Sequence, residues 1–125
     1  MGYRRAGFYV VGVDHKPQPR YAGDEFHLGD ALEYCVEHGH EYDAIHASPP
    51  CQAYSRCTPT HHKAKHADLI SITREYLKNT FLPFVIENVE DAKNKLECPI
   101  TLCGSMFGLP IRRHRCFEIR PMFFA

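Results

Sequence analysis

Three apolar runs punctuate the chain, and the segments between them carry helical spacing. Phe8-Tyr9-Val10-Val11-Gly12-Val13 ends in Asp14, Ala44-Ile45-His46-Ala47 closes a segment that begins at Tyr42, and Phe84-Val85-Ile86 follows Pro83 and delivers Glu87 and Asn88. Continuous apolarity, without alternation, is the pattern of strands buried on both faces, as in a parallel sheet. Ahead of the first run, Tyr3 to Gly7 reads as the tail of a helix with Gly7 as its stop. Pro17 and Pro19 mark a loop. Asp30 and Glu33 have the spacing of a capping box, ahead of Leu32, Cys35 and Val36 on one helical face, and Gly39 ends that helix. The stretch from Cys51 to Lys65 is polar, rich in Thr and His, and reads as a long loop. Asp68 then caps a second helix whose inward face is expected to be Leu69, Ile72, Tyr76 and Leu77. A loop or short helix runs to Lys95, Thr101 to Gly104 opens the last segment, and Arg115 to Ile119 is the closing strand. This alternation of strand and helix predicts an α/β fold with right-handed crossovers. With no internal repeat, low-complexity tract or linker, residues 1–125 are expected to form a single domain.

The bulk properties narrow the function classes. At 125 residues the chain is large enough for one core. Lys plus Arg and Asp plus Glu stand at 15 each, so the formal net charge is zero. A neutral chain gives no strong nonspecific grip on phosphate, which argues against an autonomous nucleic-acid binder. The nine histidines would raise the charge below about pH 6.5. Six cysteines could suggest a disulfide framework, but Met1-Gly2-Tyr3-Arg4-Arg5 lacks the apolar core of an export signal. No run approaches the ~20 apolar residues of a membrane span. A reduced, intracellular protein without a membrane partner is expected.

The chemistry centres on His46-Ala47-Ser48-Pro49-Pro50-Cys51-Gln52. Two prolines at the end of an apolar strand make a stiff, extended exit, because proline fixes its own φ and bars helical space to the residue before it. Ligand crevices in open α/β sheets lie outside the carboxyl ends of the strands, so a thiol on that rim stands where a nucleophile would act. The plainer account of Cys51 is a small hydrophobe in the core. Its neighbours favour the first account: Ser48-Pro49-Pro50-Cys51-Gln52 resembles the catalytic motif of the cytosine-5 DNA methyltransferases. Glu87-Asn88-Val89 resembles the family's second catalytic motif. Gly108-Leu109-Pro110-Ile111-Arg112-Arg113-His114-Arg115 resembles its late arginine motif, with Ile111 where the family has glutamine. The marks occur in the family's order, and the resemblance runs from about Gly2 to Ile119.

The resemblance implies a fold, a cofactor and a division of labour. The fold would be a Rossmann-like, mostly parallel sheet binding S-adenosylmethionine. Asp14 would hold the cofactor's ribose diol, Asp30 its adenine amino group, and Pro49 would lie on the cofactor side. Asp30 is equally well placed to be only a helix cap. Cys51 would add through its thiolate to carbon 6 of a cytosine flipped out of double-stranded DNA. Glu87 would hydrogen-bond ring nitrogen 3 and the exocyclic amine, and is otherwise a solvated strand end. Arg113 and Arg115 would hold base and backbone through forked guanidinium donors, and are otherwise a basic strand edge. Pro50, Gln52 and Asn88 would line the base. The family's glycine-rich first motif and its target-recognition region are not found in the sequence. The expectation is therefore a partial catalytic domain lacking the central first strand, from a compact phage-type or restriction-modification relative working in the cytoplasm of a bacterial or phage-infected cell.

Three competing readings remain open. Cys51, Cys57, His61, His62 and His66 crowd one loop with ligand types usable by a metal, although structural zinc sites usually show closer cysteine pairs. The chain could also be an inactive remnant that binds a partner. The same chemistry could instead act on RNA or a nucleotide.

Overall fold

The computed structural model describes residues 2–51 and 68–121, which divide into two compact units, Met1–Gly39 and His40–Ala125. Helix α1 (Gly2–Arg5) opens the first unit, and Gly7, at φ 93°, takes the left-handed conformation that ends it. Strand β1 (Val11–Asp14) pairs in parallel with β2 (Glu25–Leu28), Val11 opposite Glu25 and Asp14 opposite Leu28. The Tyr21 ring lies over Gly12 so closely that a Cβ there would stand 2.5 Å from Cε2, and its hydroxyl donates to the Val10 carbonyl at 3.2 Å. Arg4 Nε meets Asp24 Oδ1 at 3.0 Å, and Asp24 Oδ2 accepts from the Val10 amide at 2.8 Å. Helix α2 (Ala31–His38) follows. Its Leu32 and Cys35 are half-buried as expected, whereas Val36 is 66% exposed. Tyr34 instead shares the sheltered side, its ring tilted against those of His27 and His38 with centroids 4.9 and 4.7 Å away. At Gly39 the backbone stays helical and runs on as a 3-10 turn, Gly39–Glu41.

The second unit is built on a four-stranded sheet of order β3-β4-β6-β5, with β3 (Ile45–Ala47), β4 (Phe84–Val89), β5 (Ile100–Cys103) and β6 (His114–Arg120). β3 and β4 run parallel, whereas β6 is antiparallel to both of its neighbours. The fold is thus mixed α/β, and the expected mostly parallel pairing holds only for β1–β2 and β3–β4. Antiparallel neighbours need no helical crossover, so the chain leaves β5 through a 3-10 turn (Gly104–Phe107) and a short irregular stretch before returning as β6. β6 is an interior strand, so the arginine segment is not the basic sheet edge that the sequence allowed.

The core lies on one face of this sheet. Phe84, Ile86 and Asn88 of β4 alternate inward with Cys116 and Glu118 of β6, and helix α3 (Leu69–Asn79) covers them with Ile70, Thr73, Arg74 and Leu77. This corrects the expected helix face: Ile72 and Tyr76 are 42% and 41% exposed. The inward stripe carries an arginine because Glu118, 0% exposed, receives it. Arg74 Nε donates to Glu118 Oε1 at 2.8 Å and Nη2 to Oε2 at 2.7 Å, a forked pair. Arg74 Nη2 also reaches the Lys95 carbonyl at 2.6 Å, and the Glu97 amide donates to Glu118 Oε2 at 2.8 Å. Glu118 thereby holds the Arg74 guanidinium more firmly protonated than usual. Among the described helices none is long and apolar enough to cross a membrane.

Glu118→Ala should lower the stability of this unit by about 3–5 kcal/mol in urea denaturation, because it strands a buried guanidinium. A loss near zero would mean that Arg74 finds water or another acceptor once Glu118 is gone.

Candidate active site

Parallel strands deliver their carboxyl ends to the same edge, and in the second unit this edge is crowded. β3 and β4 end there in Ala47 and Val89, and β6, running the other way, begins there at His114. The Cys51 loop leaves β3 at this edge, Glu87 and Asn88 are the last residues of β4 before Val89, and Arg115 is the register partner of Val89. Arg113 immediately precedes β6. Four residues assigned to the chemistry from sequence, Cys51, Glu87, Arg113 and Arg115, therefore come from one rim of one sheet.

Two contacts organise the rim. Asn88, 3% exposed, donates through Nδ2 to the Pro49 carbonyl at 2.9 Å, and its Oδ1 accepts from the Val89 amide at 2.9 Å. Its amide thus fastens the proline exit to the end of β4, two residues before Cys51. The sequence assigned Asn88 to the base; the structure commits both ends of its side chain within the protein. The second contact is Arg115 Nε to Glu87 Oε1 at 2.7 Å, both side chains partly exposed at 28% and 20%. Arg115 Nη1 also donates to the His114 carbonyl at 3.0 Å, which fixes the guanidinium's direction. At the start of the loop, His46 Nε2 and Ser48 Oγ are hydrogen-bonded at 3.2 Å. Cys51 is a half-buried free thiol and Arg113 is exposed. Pro49 is half-buried and Pro50 exposed.

Gln52 lies outside the described residues, as do Cys57, His61, His62 and His66 of the alternative metal loop. The remaining two assignments fall in the first unit. Asp14 ends β1; its Oδ1 accepts from the Lys16 amide at 2.9 Å and its Oδ2 from Gln18 Nε2 at 3.0 Å. The Lys16 amide, helped by Gln18 and the neighbouring positive charges, holds the Asp14 carboxyl below its ordinary range. Asp30 caps α2, with Oδ1 accepting from the Leu32 and Glu33 amides at 2.8 and 3.1 Å. The helix-cap account of Asp30 is thus realised.

Sequence reasoning missed the ring of groups behind the arginines. His114 Nδ1 stands 2.9 Å from Glu90 Oε2, and Cys103 sits opposite His114 in the β5–β6 register. The only sequence signal was a histidine flanked by arginines and a cysteine ending an apolar run. No family model matches the chain, and no curated protein or solved structure matches it either.

Asn88→Ala should cost about 1–3 kcal/mol, since it leaves a sheltered carbonyl and amide without their partner. Asn88→Asp should cost more despite its similar shape, because it sets an acceptor against the Pro49 carbonyl; equal losses in denaturant midpoint would contradict the clamp. For Asp14, a carboxyl lowered on folding stabilises above its unfolded pKa and loses that contribution as pH falls through the folded one. The stability margin of the wild-type chain over Asp14→Asn should therefore hold from neutral pH to about pH 4 and narrow below it. A margin independent of pH would show that the carboxylate charge is not what the Lys16 amide and Gln18 recognise.

Proposed function

We propose that the chain is part of the catalytic core of a cytosine-5 DNA methyltransferase of Rossmann-like architecture, with Cys51 as nucleophile. The observation that carries this reading is the convergence on one rim: the Pro49-Pro50-Cys51 exit is tied to β4 through Asn88, and Glu87 beside it is oriented by Arg115.

The residues available for S-adenosylmethionine suit it in part of its structure. Asp14 Oδ1 takes the Lys16 amide with His15 Nδ1 3.4 Å away, while Oδ2 accepts only from Gln18 among the described residues and would be the oxygen that offers a lone pair to a ribose hydroxyl. Asp30 spends Oδ1 on its helix and would offer Oδ2 to an adenine amino group. The bound cofactor would supply an electrophilic methyl group.

On the substrate side, the Cys51 thiolate adds to carbon 6 of an extruded cytosine, and the ring's electron pair moves to carbon 5. Glu87, its Oε1 engaged by Arg115, carries a proton on Oε2, donates it toward ring nitrogen 3 as the ring becomes electron-rich, and accepts from the exocyclic amine. Arg115 and Arg113 serve the base carbonyl and the adjoining phosphates. Once carbon 5 carries its methyl group, loss of the carbon 5 proton and expulsion of Cys51 restore the aromatic ring and the free thiolate.

Fluorine at carbon 5 blocks that last proton loss, so DNA containing 5-fluorocytosine, incubated with the chain and S-adenosylmethionine, should yield a covalent adduct seen by denaturing electrophoresis. The adduct should vanish in Cys51→Ala. No adduct from a folded sample, or one that survives Cys51→Ala, would overturn the assignment of this activity to this chain.

A further inference from the structure

A second thiol stands on β5, apart from Cys51. Cys103 ends β5 and pairs with His114, the first residue of β6. Ser105 Oγ donates to its sulfur at 3.2 Å, and His114 stands opposite it across the ladder, on the same face of the sheet. On its other side His114 Nδ1 meets Glu90 Oε2 at 2.9 Å. Cys103, His114 and Glu90 thus follow one another across the ladder, the order in which a nucleophile, its base and an orienting group are arranged in nucleophilic catalysis. A sulfur that accepts a hydrogen bond and faces an imidazole is favoured as thiolate. The Ser105 hydrogen bonds first, then the His114 charge, hold the Cys103 thiol below its ordinary range, and Glu90 raises His114 above its own.

The surroundings set which reagents can reach it. Cys103 is 6% exposed, while Ser105 and His114, which border it, are open to solvent. Glu87 and Arg115 are paired with each other on the opposite face of the sheet, and Glu90 is the acidic side chain that meets His114. A sulfur sheltered to this degree beside exposed polar side chains suits small, uncharged electrophiles.

We propose that the Cys103–His114–Glu90 cluster is a second reactive-thiol site, separate from Cys51, whose sulfur is oxidised by small hydroperoxides. The thiolate attacks the terminal peroxide oxygen, an S–O bond forms as the O–O bond breaks, and sulfur is oxidised by two electrons to the sulfenic acid. The departing hydroxide or alkoxide takes the His114 proton and leaves as water or alcohol, with Glu90 holding the imidazole in line. This inference does not rest on the methyltransferase reading.

The test treats the full chain with dilute hydrogen peroxide, captures sulfenic acid with a cyclic 1,3-diketone and maps the sites by peptide mass. Cys103 should be captured ahead of the exposed Cys98, which lacks such a cluster in the described structure. His114→Gln and Glu90→Gln, at solvent-exposed side chains that leave the fold intact by circular dichroism, should each slow capture at Cys103 by roughly tenfold, the scale of a one-unit change in thiol pKa, and leave Cys98 unchanged. Capture at Cys98 ahead of Cys103, or an unchanged Cys103 rate in both variants, would overturn the proposal.

Discussion

The forked pair between Arg74 and Glu118 is the constraint on which the second unit depends. Neither charge could be sheltered alone, so helix α3 must lie over β6 in the one orientation that lets the guanidinium meet the carboxylate with both oxygens. The same two residues gather the chain between β4 and β5, since Arg74 holds the Lys95 carbonyl and Glu118 the Glu97 amide. Glu97 in turn binds Arg120 at the far end of β6. Without this pairing β6 would lose its lid, and β5, which joins the sheet through β6, would lose its anchor.

Strand alternation couples that core to the rim. On β6, Glu118 points inward while Arg115, three residues earlier, points to the other face; on β4, Asn88 points inward while Glu87 points out. Each central strand thus gives one polar residue to the fold and one to the site. A register slip by one residue would expose Glu118 and bury Arg115 together, so the buried pair also fixes the Glu87–Arg115 contact. Asn88 extends the logic sideways by tying the Pro49 carbonyl, and with it the approach to Cys51, to the end of β4.

Much of this was legible in the sequence, for physical reasons. The runs that became β1, β3 and β4 are apolar enough to announce strands, and Asp30 and Asp68 cap helices as their spacing implied. The proline exit and the Glu87-Asn88 strand end gave the rim its position. β2 was missed because Glu25-Phe26-His27-Leu28 is short and half polar. The inward face of α3 was misread because Ile70, Thr73, Arg74 and Leu77 and the rival Leu69, Ile72 and Tyr76 both have helical spacing, and only a buried carboxylate from 44 residues away decides between them. The insertion of β6 between β4 and β5, and the dual commitments of Asn88, Asp14 and Asp30, are three-dimensional facts with no local signature.

We propose that the rim sets the Cys51 sulfur to attack carbon 6 of cytosine. Addition there makes carbon 5 basic even before any methyl group is available, so carbon 5 should trade its proton with solvent and the base should be released unchanged. The most direct measurement is deuterium incorporation at carbon 5 of cytosine in duplex DNA, incubated with the chain in heavy water without S-adenosylmethionine and read by mass spectrometry of the nucleosides. The account predicts incorporation by the wild-type chain and none by Cys51→Ala. A folded wild-type chain that leaves carbon 5 unlabelled, or labelling that persists without the Cys51 sulfur, would contradict it.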